Sequence, residues 1–91
     1  MNDKVFLIAV ELNSMSAIQN FEKVLSSIGE WKKLVGNVYV LKQPFSRMCE
    51  NVRIHISRDF GKDLRMFIMK TSLDAAWNLD ASVDRWLKEN I

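Results

Sequence analysis

Residues 5–12 are apolar at both sets of alternating positions. Alternate residues of a strand point to opposite faces of its sheet, and the two sets here are Phe6, Ile8, Val10 and Leu12, and Val5, Leu7 and Ala9. A strand with one solvated face would alternate apolar and polar side chains instead. The pattern therefore predicts a central strand that is covered on both faces.

Helical spacing follows this strand. Asn13 and Ser14 are suited to cap a helix that Gly29 ends. The apolar positions between them recur at intervals of three and four residues: Ile18, Phe21, Val24, Leu25 and Ile28. Residues 31–35 and 38–42 are typical of two strands, and Gly36 and Asn37 between them suit a tight turn. We expect a hairpin here.

A second helix and a fourth strand complete the pattern. Pro44 and Ser46 mark the start of the helix and Gly61 its end. Its predicted buried stripe is Met48, Cys49, Val52, Ile56 and Phe60. Residues 64–71 predict a strand that is also apolar on both faces, with Leu64, Met66 and Ile68 on one face and Phe67 and Met69 on the other.

The order of these elements predicts an α+β fold. Strand, helix, strand, strand, helix, strand is the ferredoxin-like βαββαβ sandwich, with both helices on one face of a four-stranded sheet. The first and fourth strands are expected to be neighbours. We expect one domain over residues 1–91, with a core of 4–73 and a tail of 74–91. The tail holds an extra C-terminal helical segment, capped by Asp80 or Ser82, with apolar positions Val83, Trp86, Leu87 and Ile91.

The second face of the predicted sheet needs a cover, because it is too apolar for solvent. Two covers are possible: the tail can fold back over its own sheet, or a second copy of the chain can pack there. We expect a homodimer. Its predicted interface is Val5, Leu7, Ala9, Phe67, Met69 and Trp77.

Length and composition bound the class of protein. With 91 residues, 48% of them hydrophobic, the chain suits one domain with a modest core. No apolar run reaches the roughly 18 residues of a membrane span, so we expect neither a membrane partner nor a signal peptide. The single cysteine, Cys49, cannot form a disulfide within the chain, which favours a cytoplasmic location. It is expected to be an inert thiol.

The charges are unevenly distributed along the chain. Residues 1–30 carry a net charge of −2, residues 31–70 carry +6 and residues 71–91 carry −2. A basic middle suits a phosphate-facing surface or complementary charge between subunits, and ordinary solvated surface explains it as well. The candidate basic surface is Lys33, Lys42, Arg47, Arg53, Arg58 and Arg65. The third strand holds one aromatic residue, Tyr39, so contact with a nucleic-acid backbone or with a protein is favoured over base stacking.

Three segments resemble a known family: residues 10–12, the hairpin with Trp31 and residues 38–40, and above all Ala75-Ala76-Trp77 followed by Trp86-Leu87-Lys88. Nearly the whole chain resembles small bacterial and phage proteins labelled SinR-like. That group is similar to the VapD superfamily, which includes the small nuclease-like CRISPR-associated subunit of spacer acquisition. The resemblance implies a ferredoxin-like fold and homodimerisation through sheet surfaces or edges.

The resemblance also implies one candidate catalytic position. Nucleases of the superfamily have an aspartate at the end of the first strand, which in the dimer can bind a divalent metal with its symmetry mate. The matching residue here is Glu11. Its side chain is longer by one methylene, and metal-assisted hydrolysis depends on tight placement of the ligands.

We therefore expect a non-enzymatic homodimeric interaction module that binds protein or nucleic acid and needs no cofactor. The alternative is a metal-dependent endonuclease with paired Glu11 residues and Mg²⁺ or Mn²⁺. His55 is expected to have no Cys or carboxylate at ligand spacing, so the sequence predicts no zinc site and no acid–base pair. No small-molecule substrate is indicated.

Overall fold

The part of the chain that the structure describes contains seven regular elements. A computed structural model describes residues 5–43, 48–72 and 74–91. The elements are strand β1 (Val5–Val10), helix α1 (Met15–Ile28), strands β2 (Glu30–Val35) and β3 (Val38–Lys42), helix α2 (Cys49–Phe60), strand β4 (Met66–Lys70) and helix α3 (Ala81–Asn90). The predicted α+β class and order of elements are confirmed, including the extra C-terminal helix.

The four strands form one antiparallel sheet in the order β2-β3-β1-β4. The central position predicted for β1 is confirmed, and so is its pairing with the strand after the second helix. In that pair Leu7 lies opposite Met69, and Ala9 lies opposite Phe67. Since opposite residues of a strand pair share a face, these four side chains lie together.

Local sequence signals set most of the boundaries. The Ser14 hydroxyl accepts a hydrogen bond from the Ala17 N–H at 3.1 Å and caps α1. Gly29 ends that helix, and a Cβ atom there would collide with the Lys42 carbonyl oxygen. The hairpin turns at Gly36, whose positive φ of 28° is costly for other residues. The predicted cap, stop and turn are confirmed.

The first face of the sheet carries the main core. Buried residues of α1 and α2 pack on alternate side chains of β1 and β3: Phe21, Leu25, Ile28, Val52 and Ile56 from the helices, and Phe6, Ile8, Val10, Tyr39 and Leu41 from the strands. Both helices therefore lie on one face, as predicted.

Two predictions about the second half of the chain are wrong in detail. Met48 was expected on the buried stripe of α2, but it is 61% exposed because α2 begins one residue later, at Cys49. The predicted helix start at Pro44 and Ser46 lies outside the described residues. The fourth strand is shorter than residues 64–71 and runs from Met66 to Lys70.

The second face of the sheet has its own small core. Val83 and Leu87 of α3 bury Val5 and Val40 of the sheet, and six half-buried apolar residues surround them: Leu7, Leu34, Trp77, Leu79, Trp86 and Ile91. The tail thus covers this face within the same chain. This answers the question that the sequence left open between the tail and a second copy, for the β2, β3 and β1 part of the face.

Candidate interaction surface

The β4 side of the second face is not covered by the tail. Phe67 is 62% exposed and Met69 is 48% exposed, whereas Val5 on the covered side is fully buried. Leu7 and Ala9 of β1, both half-buried, lie beside them across the β1–β4 pair. We call Leu7, Ala9, Phe67 and Met69 the open strip.

The open strip includes the edge of the sheet. In the strand order of the described residues, β4 pairs with β1 on one side and is the last strand on the other. Edge strands in proteins usually carry charges or are covered, because an exposed apolar edge invites association. This edge carries two large apolar side chains instead. The open strip is therefore a candidate surface for contact with another molecule.

A charged pair stands at one end of the open strip. The Glu11 N–H donates to the Arg65 carbonyl oxygen at 3.0 Å, so the β1–β4 ladder continues by one pair. Strand alternation places both side chains on the face of Phe67 and Ala9. Arg65 Nε lies 4.0 Å from Glu11 Oε1, with the two side chains 83% and 53% exposed. A pair this exposed and this long holds its partners weakly.

The predicted interface residues divide into two groups. Leu7, Ala9, Phe67 and Met69 form the open strip, but Val5 and Trp77 belong to the packing of the tail. Val5 is buried beneath α3, and the Trp77 indole N–H donates to Asp84 Oδ1 at 2.9 Å. The tail uses both side chains for its own packing in this arrangement.

The predicted basic residues lie in separate places. Lys33 lies over the Tyr39 ring, 5.7 Å from its centroid, on the side of the main core. Lys42 donates to Asn90 Oδ1 at 3.1 Å, on the opposite face. Arg53 and Arg58 are on α2, Arg65 is at the end of the open strip, and Arg47 lies outside the described residues. The fold does not gather the described members into one patch.

Several of these cations already have acidic neighbours. Arg53 donates to both carboxylate oxygens of Glu50, at 2.6 and 2.8 Å. The hydrogen bond from Arg53 lowers the pKa of the Glu50 carboxyl and keeps it ionised. Arg58 Nε lies 3.4 Å from Asp59 Oδ1. These pairs reduce the net positive field of α2.

Glu11 shares a surface pocket with one other acid, Asp63, and with the cations Lys62 and Arg65. Among the described residues, no group of three His, Cys, Asp or Glu side chains is arranged to hold a metal ion. The expectation for His55 needs correction, because its Nε2 lies 3.7 Å from Asp59 Oδ2, one helical turn away. The His55–Asp59 pair lies on α2, whereas Glu11 follows β1.

The sequence pointed to most of the open strip but not to its charged end. Glu11 and Arg65 were each singled out for a different reason, and only the β1–β4 register brings them together.

No protein-family model, curated protein or solved structure matches the chain. None of the helices in the described ranges has the length and hydropathy needed to span a bilayer.

Proposed function

We propose that this chain is a ferredoxin-like interaction module that pairs with a second copy of itself through the open strip. The observation that carries the proposal is the exposure of Phe67 and Met69 on an edge strand, beside a face that the chain otherwise buries. The order β2-β3-β1-β4 and the two helices on the first face support the ferredoxin-like description. A module of this kind acts through association and needs no reaction centre.

The size of the strip sets the expected strength of the contact. A stable interface buries about 800 Å² on each partner, with an apolar centre and a polar rim. The four residues of the open strip supply the centre, since one aromatic side chain alone can bury about 150–250 Å². The rim has to come from the neighbouring charges and from the tail. We therefore expect a weak, concentration-dependent dimer.

The charged end of the strip favours a second copy over an unrelated protein. Two copies related by a two-fold axis present the same patch to each other. If the axis passes near Ala9 and Phe67, Arg65 of one copy meets Glu11 of the other, and the reverse contact forms as well. The loose pairing of these two residues within one chain leaves both available for this exchange.

A nucleic-acid partner is less well supported. The described cations that were expected to form a basic surface lie on different elements and faces, and two of those on α2 are paired with acids. The nuclease alternative has a further difficulty in the proposed dimer. Each Glu11 would lie beside an Arg65 guanidinium, and a nearby positive charge opposes the binding of Mg²⁺ or Mn²⁺.

Sedimentation equilibrium tests the apolar centre. Wild type is expected to associate at high micromolar concentration, and the double variant F67Q/M69Q to stay monomeric. M15Q is the matched control, because Met15 is 69% exposed on α1, away from the strip. It should associate as wild type does. A wild type that remains monomeric up to 1 mM would refute self-association through the open strip.

A charge exchange tests the two-fold arrangement. E11R and R65E each replace two attractive contacts across the axis by two repulsive ones, so each variant alone should dimerise less. Mixing the two variants restores both attractive contacts in the heterodimer. Stronger association in the mixture than in either variant alone is the expected result. Equal association in all three samples would contradict the pairing of Glu11 with Arg65.

A further inference from the structure

A cavity lies between the tail and the second face of the sheet, next to the open strip but separate from its charged end. Its volume is about 230 Å³. Leu7, Leu34 and Val40 of the sheet form one wall, Ala76 and Trp77 of the tail form another, and Leu87 of α3 contributes to a third. Sites for small molecules commonly occur where separate elements meet in this way.

The walls of the cavity are held in place by contacts of their own. The Trp77 indole is fixed by its hydrogen bond to Asp84, and Asp84 also pairs with Lys88 at 3.1 Å. The end of α3 is tied to the sheet by the hydrogen bond between Lys42 and Asn90. A cavity with fixed walls loses little conformational freedom when a ligand enters it.

The chemistry of the lining defines the class of ligand. Ten of the fourteen lining residues are apolar. Of the polar ones, the Thr71 hydroxyl donates to the Val5 carbonyl oxygen at 3.1 Å, and the Ser72 hydroxyl accepts from the Asp74 N–H at 3.0 Å. Lys70 and Asp74, of opposite charge, complete the polar part of the lining. Within the described ranges, no buried side-chain nitrogen or oxygen lacks a hydrogen-bond partner. The site therefore offers no unpaired buried group to a charged ligand.

We propose that this cavity binds a small, uncharged and mainly apolar molecule, such as a single aromatic ring system or a short hydrocarbon chain. An apolar cavity of roughly 150 Å³ is large enough for benzene, and drug-sized pockets begin at roughly 300 Å³. The volume here lies between these limits and suits about ten non-hydrogen atoms. The cavity shares Leu7 and Met69 with the open strip, whereas Ala76, Trp77 and Leu87 lie outside the strip.

Indole is a suitable probe, since it is uncharged, mainly apolar and has nine non-hydrogen atoms. In a titration of the full ¹⁵N-labelled chain, the Trp77 side-chain N–H and the amides of Leu34, Val40 and Ala76 are expected to shift and saturate. The expected dissociation constant is on the order of 1 mM or below. Imidazole is a more polar ring and should produce no saturable shift at these residues.

The matched variants are A76F and A81F. Ala76 is exposed and lines the cavity, so a phenyl group there fills it from the solvent side, and indole affinity should fall at least tenfold. Ala81 is exposed at the start of α3 and does not line the cavity, so A81F should bind indole as wild type does.

Mapping in the wild type keeps the proposal testable even if A76F fails to fold. The absence of saturable shifts up to 10 mM indole would overturn it, as would shifts centred on α2, equal shifts with imidazole, or unchanged affinity in a folded A76F. Two measurements on the wild type separate the two proposals, because F67Q/M69Q changes Met69, which also lines the cavity. A wild type that shows saturable Trp77 shifts but stays monomeric up to 1 mM refutes only the self-association. A wild type that associates but shows no saturable shifts up to 10 mM indole refutes only the cavity.

Discussion

At the scale of single residues, Tyr39 combines ring packing with a hydrogen bond in the main core. It is fully buried, and its ring lies 5.2 Å from Phe21 and 5.7 Å from Trp31, measured between centroids. Its hydroxyl donates to Glu22 Oε2 at 2.9 Å. Burial, followed by the hydrogen bond to Glu22 and the charge of Glu22, raises the pKa of the Tyr39 phenol above its ordinary value of 10.0.

Replacing Tyr39 by Phe should lower stability and change its dependence on pH. The lost hydrogen bond to a carboxylate is expected to cost about 1–2 kcal/mol at pH 7. Because the folded protein holds the phenol proton more tightly than the unfolded chain does, the Tyr39 contribution is complete below pH 10 and is lost above it. The Tyr39→Phe variant should lack that alkaline loss.

Urea unfolding of wild type and variant at pH 8 and at pH 10.5 checks this expectation. The difference in the free energy of unfolding between the two proteins should shrink at the higher pH. There wild type alone loses stability, because its unfolded chain releases the Tyr39 phenol proton more readily than the folded protein does. A difference that is the same at both values would show that the phenol is not held in its neutral form by the fold.

At the scale of elements, a carboxylate of α3 holds the segment that precedes this helix, through Trp77. The hydrogen bond from Trp77, and then the contact with Lys88, lower the pKa of Asp84 below its ordinary value of 3.8. A lowered pKa means that the ionised form stabilises the folded state. This contribution is present above pH 3.8 and is lost as the pH falls below that value.

Asp84→Asn should isolate this effect, because the amide oxygen can still accept from Trp77. The melting temperature of the variant is expected to lie below that of wild type at pH 6, and the gap should close as the pH falls to 2.5. Asp63→Asn, at an exposed carboxylate outside the tail, should follow wild type across the range. Thermal melts followed by tryptophan fluorescence measure all three proteins. A difference in melting temperature between wild type and Asp84→Asn that stays constant down to pH 2.5 would contradict the stabilising role of the ionised Asp84 carboxylate.

The sequence predicted those elements whose signals are local. Ser14 and Gly36 act through their immediate backbone neighbours, so the start of the first helix and the turn of the hairpin could be placed from the pattern alone. Gly29 also marks the end of that helix in the sequence, but the close approach that requires glycine there comes from the Lys42 carbonyl oxygen of β3. The cover on the second face was also predictable, because a strand with apolar side chains on both faces is typical of a sheet that is shielded from solvent on both faces.

Features that depend on distant contacts could not be predicted in the same way. Val83 and Leu87 pack on Val5 and Val40 of the same chain. The local sequence does not indicate whether this packing occurs within one chain or between two chains. For that reason the predicted interface included Val5 and Trp77, which the tail uses itself. The pairing of Glu11 with Arg65 and the cavity beside Trp77 likewise arise only when separate elements meet.

At the scale of the whole molecule, self-association should appear in the thermal stability. A second copy that binds only the folded chain raises the melting temperature as the concentration rises. Wild type is therefore expected to melt at a higher temperature at 1 mM than at 10 μM, by a few degrees. The F67Q/M69Q variant should melt at the same temperature at both concentrations. A concentration-independent wild type would argue against a dimer of folded chains.

The small core on the second face of the sheet has a consequence for synthesis of the chain. Residues 5–42 supply the sheet side of that core, and α3, which covers it, is made about forty residues later. While the ribosome still holds the later residues in its exit tunnel, Val5, Leu34 and Val40 have no intramolecular cover. Domains generally fold as units, and apolar strands that are exposed before the unit is complete promote aggregation. The nascent chain therefore passes through a period in which it presents a fully bare apolar face to chaperones, and that period ends only when α3 emerges.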